Sequence, residues 1–195
     1  MRICSFDVHI THISEAQLQE TLKQANRTHW KSIGHFDYYN KTVQYEFGYG
    51  LSYTSFSIGT NVAITPLFND ELSALPADAK IIPGGNPNLW QALYRISITV
   101  KNTGEVAGAA VPQLYLSLPK ETTGAASAVN VLRGFEKVQL QPGEARNIIF
   151  QLTRRDISRW DVTRQQWVIP SGVMQAHVGF SSRDFRVAGS FTPIR

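Results

Sequence analysis

The sequence predicts an all-β fold, an antiparallel β-sandwich preceded by a short N-terminal helical extension. Tyr94 to Lys101 alternates apolar and polar residues, which is typical of a strand with one face on a core and the other in water. Seven or so short apolar segments are separated by turn signals, of which Pro142–Gly143 and Pro170–Gly172 are the clearest. Helical periodicity is absent after residue 45, which argues against α/β and TIM-barrel folds.

Residues 1–44 are predicted to form an extension with one helix and a linker. Ser14 and Gln17 have the spacing of a capping box, and Ile13 and Leu18 have that of a hydrophobic staple. These signals predict a helix from about Glu15 to Asn26. The polar stretch from His29 to Tyr45 then reads as an extended linker.

Residues 45–195 are predicted to form one β-domain. A strand should begin near Thr54, and after Tyr94 to Lys101 the chain should turn at Asn102–Gly104. The segment from Leu67 to Asn88 holds three prolines and two glycines, so it is predicted to be a long irregular loop. The further predicted strands are Val111 to Leu118, Val131 to Leu140, Arg146 to Leu152, Gln166 to Ile169, Val173 to Phe180 and Val187 to Thr192.

The segment from Tyr45 to Phe56 looks like an anchor that pins an incoming linker to the sandwich. Its glycines allow a tight bend or a positive φ, while large rings between them can pack on neighbouring surfaces. The residues assigned to this anchor are Tyr45, Phe47, Gly48, Tyr49, Gly50, Leu51 and Tyr53.

Charge and targeting signals exclude several classes of protein. The net charge is +4, but acidic residues interrupt the basic ones between Arg154 and Arg164, so a nucleic-acid partner is not expected. No stretch is long enough to span a membrane, and a single cysteine, Cys4, cannot form an internal disulfide. The first ten residues lack the apolar core of a signal peptide. Asn26 and Asn40 begin N-glycosylation sequons, which matter only in a secreted protein.

No residue pattern in the chain predicts a catalytic, metal or cofactor site. Asp156 and Asp161 are the local pair of carboxylates of most interest, but we expect Asp156 to cap a turn and Asp161 to pair with an arginine. His9 and His12 lack further ligands at a recognisable spacing. Gly48-Tyr49-Gly50 begins a dinucleotide fingerprint, but Tyr53 occupies the third glycine position and a strand follows instead of a helix.

The tryptophans are the residues best suited to contact a sugar. Trp160 and Trp167 are predicted to pack in the core, as tryptophans in β-sandwiches commonly do. Trp90 lies beside a loop rich in glycine and proline. It suits either core packing or an exposed contact with a sugar or a neighbouring domain.

Several motifs in a fixed order resemble one known family. They are Tyr45 to Thr54, Gly84 to Trp90, Val100 to Gly104 with Gln113 to Tyr115, Val131 to Lys137 with Gln141 to Glu144, Leu152 to Ser158 with Trp160-Asp161, and Val178-Gly179 with Ser181 to Arg183. From about His35 onward, the chain resembles the C-terminal fibronectin type III-like domain of glycoside hydrolase family 3, and the fungal β-glucosidases in particular. Residues up to about Ile33 match nothing that we recognise in that family.

The resemblance implies an immunoglobulin-like or fibronectin type III-like sandwich that serves a β-glucosidase. In that family the nucleophilic aspartate and the acid/base glutamate lie on two preceding domains, for which the chain has no room. We therefore expect the chain to be inactive alone, with catalytic domains as its partners, no cofactor, and an extracellular full-length relative. The alternative is a free-standing β-sandwich module that binds carbohydrate, a glucan or oligosaccharide, or that serves in adhesion.

Overall fold

The computed structural model describes residues 42–119 and 130–193. The predicted helix, both sequons, Cys4, His9 and His12 lie outside the described residues. Twelve strands and a 3-10 helix at Pro87–Trp90 form the described part of the chain. The strands are β1 Phe56–Ile58, β2 Ala63–Pro66, β3 Ala92–Asn102, β4 Gly108–Ala110, β5 Gln113–Ser117, β6 Val131–Phe135, β7 Val138–Leu140, β8 Ala145–Thr153, β9 Arg159–Asp161, β10 Gln166–Val168, β11 Met174–Gly179 and β12 Phe185–Phe191.

The long strand β3 organises the first sheet. The short strands β1 and β2 lie end to end along one edge of β3, and β8 pairs with its other edge. All of these pairings are antiparallel. The predicted alternation is confirmed, because Tyr94, Ile96, Ile98 and Val100 are all buried.

The second sheet has the strand order β12-β11-β5-β6, and again every pair is antiparallel. Residues of both sheets form one apolar core. The first sheet contributes Ile96 and Phe150, and the second contributes Leu114, Leu116 and Met174. The predicted antiparallel β-sandwich is therefore confirmed. The predicted domain boundary at residue 45 stays a prediction.

One predicted strand is wrong in its length. The segment from Val131 to Leu140 is two strands in different sheets, since β6 pairs with β5 and β7 pairs with β4. The chain crosses between them at Glu136–Lys137, where the backbone N–H of Glu136 bonds to Pro112 O. A change of sheet of this kind is decided by tertiary packing, and the apolar pattern of the segment gives no sign of it. The strands β2, β4 and β9 were not predicted from the sequence.

The two ends of β3 define two ends of the sandwich. At its C-terminal end, Asn102 pairs with Phe56 of β1, which directly follows the predicted anchor. At its N-terminal end, Gln91 O and Leu89 O accept hydrogen bonds from the backbone N–H groups of Arg154 and Arg155. We call these the anchor end and the tryptophan end.

Candidate docking surface and tryptophan cluster

The backbone of the anchor segment is bound to the second sheet. A turn forms where the N–H of Tyr49 donates to Glu46 O over 3.1 Å. The N–H of Ser182 donates to Phe47 O over 2.8 Å, and the Ser181 hydroxyl donates to the Glu46 carboxylate, also over 2.8 Å. The segment is therefore fixed through its main chain and one polar side chain, which leaves its large side chains available.

A buried amide, that of Gln113, joins the anchor segment to the sandwich. Its Nε2 donates to Gly48 O over 2.8 Å and to Phe180 O over 2.9 Å, and its Oε1 accepts from the Tyr115 hydroxyl over 2.7 Å. Gln113 is only 5% exposed. Because an unpaired polar group at such a depth is costly, this amide strongly favours the observed path of the segment.

Gly48 is required at the point where the segment meets Gln113. Its φ of +80° lies in the left-handed region, and a Cβ there would lie 2.9 Å from Gln113 Cδ and closer still to Oε1. Gly50 has no atom within 4 Å of the position of a Cβ, so it is not constrained by neighbours. The sequence identified both glycines but did not distinguish their roles.

The side chains of the anchor segment form a row that is exposed to solvent. We define the aromatic strip as Tyr45, Phe47, Tyr49, Leu51 and Tyr53. Tyr53 is fully exposed and Leu51 is 85% exposed, while the rings of Tyr45 and Tyr49 lie 5.0 Å apart. An exposed row of this kind marks an interaction surface more often than a free surface.

Asn102 secures the point where the strip runs into β1. It is fully buried, and its Oδ1 accepts from the Thr54 hydroxyl and from the N–H of Gly104. Its Nδ2 donates to Val106 O and Leu140 O. Asn102 was predicted to lie in a turn, and Gln113 was predicted to lie in a strand without a specific role. In the sequence, the roles of Asn102 and Gln113 are indicated only by the position of each amide side chain next to apolar strand residues.

The tryptophan end carries a cluster of rings around one guanidinium. Arg155 lies over Trp90 at 5.5 Å and over Trp167 at 4.6 Å from the ring centroids. Trp160 and Trp167 oppose each other across β9 and β10, with centroids 5.7 Å apart. We define the tryptophan cluster as Trp90, Arg155, Trp160 and Trp167.

The prediction that Trp160 and Trp167 pack in the core is wrong. Trp160 is 44% exposed and Trp167 is half-buried against Arg155, outside the core between the sheets. The physical reason is that, among residues 42–119 and 130–193, β9 and β10 pair only with each other, so no third described strand extends their surface. Trp90 is 53% exposed, which rules out core packing. The other prediction for Trp90, a contact with a sugar or a neighbouring domain, stays a prediction.

The two aspartates near the cluster serve the local backbone, as predicted. Asp156 accepts from the N–H and the hydroxyl of Thr153 at 2.8 and 2.7 Å. Asp161 accepts from the N–H groups of Thr163 and Arg164, and these bonds, led by that of Arg164, lower the pKa of its carboxyl. Its carboxylate also lies 3.9 Å from the Arg164 guanidinium. Neither carboxylate is free to work as a paired catalytic group.

Arginine side chains bring positive charge to the region of the cluster. Burial lowers the pKa of the Arg133 guanidinium, the nearby Arg155 lowers it further, and Asp156 opposes both effects. The Nε atoms of Arg133 and Arg159 are buried without a hydrogen-bond partner. Among the described residues, the Arg155 guanidinium has no ion-pair partner.

The described residues form neither a metal site nor a membrane-spanning helix. Across 42–119 and 130–193, no three histidine, cysteine or acidic side chains lie close enough together to hold a metal ion. The described part of the chain also holds no helix with the length and apolar character needed to cross a membrane.

Comparison with known proteins gives consistent results. A family model described as "Fibronectin type III-like domain" matches residues 110–182. The chain is 48% identical over 160 residues to probable β-glucosidase G of Emericella nidulans, which covers 82% of this chain and 19% of that protein. It is 46% identical over 157 residues to probable β-glucosidase L of Aspergillus fumigatus, which covers 80% of this chain and 20% of that protein.

Solved structures agree with these relatives. The β-D-glucoside glucohydrolase of Trichoderma reesei superposes with a TM-score of 0.75 at 38% identity, over 82% of this chain and 21% of that one. A glycoside hydrolase family 3 β-glucosidase of Neurospora crassa gives a TM-score of 0.70 at 28% identity, over 81% of this chain and 27% of that one. The chain spans about a fifth of the length of the curated relatives that it matches. It belongs to the fibronectin type III-like domains of the glycoside hydrolase family 3 β-glucosidases.

Proposed function

We propose that the chain is a non-catalytic accessory domain that stabilises and positions the catalytic domains of a family 3 β-glucosidase. The observation that carries this proposal is the aromatic strip, an exposed row of large side chains on a backbone that is already fixed. A surface that is ordered before binding loses little conformational entropy when a partner covers it. It is therefore suited to permanent contact with another domain.

The composition of the strip favours a protein partner. Its five side chains are aromatic or aliphatic, and Tyr, Phe and Trp are enriched at the centres of protein interfaces. Three of the five are tyrosines, which can bury their rings and keep a hydroxyl for a hydrogen bond. The relatives are about five times longer than the matched segment, so a partner within the same chain exists in them.

The long loop between β2 and the 3-10 helix is proposed as a second contact surface. It is irregular over most of its length, as predicted, with one isolated bridge between Ile82 and Gly85. Ile81 and Ile82 are exposed on it. Because Asn86 and Asn88 both donate to Ala77 O, the base of the loop is held in place while its apolar tip is available to a partner.

The reaction proposed for the full-length enzyme is the hydrolysis of terminal β-D-glucosyl residues in glucan or cellulose breakdown. A retaining mechanism needs two carboxyl groups about 5 Å apart across the sugar. Asp156 and Asp161, the pair that the sequence offers, are engaged by their own turns. We propose that both catalytic groups reside on the partner domains and that the full-length enzyme is extracellular and glycosylated, with Asn26 and Asn40 as candidate sites.

An activity assay tests the non-catalytic assignment. The purified 195-residue chain is incubated with a chromogenic aryl β-glucoside, with a fungal β-glucosidase as the positive control. We expect no turnover above the uncatalysed rate. Turnover that persists through purification and is lost on unfolding the chain would refute the assignment.

A second candidate function, the binding of an oligosaccharide, is favoured by the tryptophan cluster. Exposed indole rings offer flat apolar faces to the C–H faces of sugars, and about half of the surface of Trp90 and of Trp160 is exposed. Calorimetric titration of the full chain with cello-oligosaccharides tests this function. We expect weak, saturable heat that W90A reduces, and an absence of heat would remove this candidate.

A further inference from the structure

We infer that the tryptophan cluster is a binding site for a carboxylated saccharide, a uronic acid unit, with Arg155 as the residue that recognises the carboxylate. This inference rests on the second candidate function and specifies its ligand. It depends on three features of the site: the placement of the guanidinium, the engagement of the nearby acidic groups, and the exposure of the rings.

The guanidinium of Arg155 lies close to two indole rings. Trp90 and Trp167 lie at 5.5 and 4.6 Å from its central carbon, within the range of cation–π attraction. A guanidinium that stacks on indole faces keeps the N–H groups at its edge available. That edge is a planar fork of donors, whose geometry matches the two oxygens of a carboxylate.

No acidic side chain of the described residues neutralises this guanidinium. The nearest acidic residue in sequence, Asp156, is bound to Thr153, and Asp161 is bound to the backbone of its own turn. Arg133 lies close enough to Arg155 for the two positive charges to repel each other. The Arg155 guanidinium therefore carries donors and positive charge that an anion would satisfy.

The rings add a second requirement, an apolar face next to the anion. Trp90 and Trp160 each leave about half of their surface exposed, although burying a tryptophan is favourable. A pyranose ring presents one face of C–H groups to an indole and carries its hydroxyls at the edge. A uronic acid combines such a face with a carboxylate on one rigid ring, so it matches both requirements. A neutral glucose unit matches only the first.

The location of the site keeps it separate from the strip. The cluster lies at the N-terminal end of β3, and the strip lies at its C-terminal end. A strand of eleven residues separates them, a length of about 35 Å. A partner domain seated on the strip does not have to cover the cluster.

A matched pair of ligands tests the inference on the full 195-residue chain. Methyl β-D-glucuronide and methyl β-D-glucoside differ only in the carboxylate, and each is titrated while the indole N–H signals are followed by NMR. We expect saturable shifts at Trp90 and Trp167 and a Kd for the glucuronide about tenfold lower, a difference of about 1.4 kcal/mol. The preference should fall as salt is raised to about 0.5 M, because salt screens the ion pair.

Variants locate the site. R155Q should abolish the preference for the glucuronide, and W90A should weaken both ligands. R146Q is the control for the loss of one arginine charge, since Arg146 is exposed and already pairs with Glu144 at 2.8 Å. Thermal melts should confirm that all three variants fold.

The remaining outcomes each overturn a stated part of the proposal. Equal affinity for both glycosides would overturn the carboxylate assignment and leave the second candidate function standing. Binding of neither would overturn both. A preference that survives R155Q would place the site elsewhere, and equal shifts with sodium acetate would show a simple anion site without saccharide recognition.

Discussion

The two ends of the sandwich both expose aromatic side chains, but they are built differently. At the anchor end the strip is apolar and is held from beneath by the Gln113 amide, whose partners are backbone carbonyls and a tyrosine hydroxyl. At the tryptophan end the rings surround Arg155, whose donors have no acidic partner among the described residues. An apolar surface with satisfied polar groups suits a protein partner, whereas rings with an unpaired cation suit a small polar ligand.

The largest effect should come from Q113A, which removes the amide beneath the strip. The variant would lose two part-buried hydrogen bonds, to Gly48 O and Phe180 O, and one buried hydrogen bond from the Tyr115 hydroxyl. At about 1 kcal/mol for each bond, we expect a loss of about 3 kcal/mol in the free energy of unfolding, measured by urea denaturation. Q139A, at an exposed position on β7, is the control. An equal loss in both variants would show that Gln113 has no special role.

A smaller loss is expected for G48A. The φ of +80° disfavours alanine by about 1 kcal/mol, and the new methyl group would displace the Gln113 side chain. We expect a total destabilisation of about 1–2 kcal/mol in the same urea experiment. G50A should leave stability unchanged or slightly raised, because a Cβ there meets nothing. If the two variants behave alike, the positive φ and the contact with Gln113 do not constrain the segment.

The strip itself should contribute little to folding and much to association. Leu51 and Tyr53 are almost entirely exposed, so L51S/Y53S should change stability by less than about 0.5 kcal/mol. It should, however, reduce self-association of the isolated chain in sedimentation velocity experiments. V162S/V173S replaces two exposed valines away from the strip and serves as the control. Equal changes in association for both double variants would argue against a specific docking surface.

The smallest effect concerns pH and His177, which stacks on Phe185 with ring centroids 5.0 Å apart. Burial lowers the pKa of His177 below its ordinary value of 6.5. As the pH falls, the His177 imidazole therefore takes up a proton in the unfolded chain at a higher pH than in the folded chain. The stability that neutral His177 contributes is complete above pH 6.5 and is lost as the pH falls through the lower pKa of the folded state. Urea midpoints at about pH 7 and about pH 5.5 should differ less in H177Q than in the wild type. If the two midpoints differ as much in H177Q as in the wild type, the pH dependence of stability comes from other groups.

The sequence predicted those strands whose residues alternate between a buried and an exposed face, because this pattern is visible within a single segment. The alternation from Tyr94 to Val100 follows directly from one buried face of β3. The division of Val131 to Leu140 between two sheets depends on which strands lie nearby, and the sequence of that segment does not encode this in a readable way. The strip was found because glycines and rings alternate within it.

The tryptophan cluster was harder to predict, because its members come from three separate segments. Trp160 and Trp167 are large apolar residues, for which core packing is the ordinary expectation, yet within the described part of the chain β9 and β10 pair only with each other. Arg155 gave no signal at all, because a charged residue after a strand is ordinary. Only the tertiary structure brings its guanidinium between two indoles.

The most direct test of the account is whether the strip holds this domain to a catalytic partner. The 195-residue chain is titrated by calorimetry into Emericella nidulans β-glucosidase G from which the matching segment has been removed. We predict a one-to-one complex that L51S/Y53S abolishes and W90A leaves intact, because Trp90 lies at the other end of the sandwich. A complex that is lost in W90A but kept in L51S/Y53S, or no complex with the wild-type chain, would contradict the account.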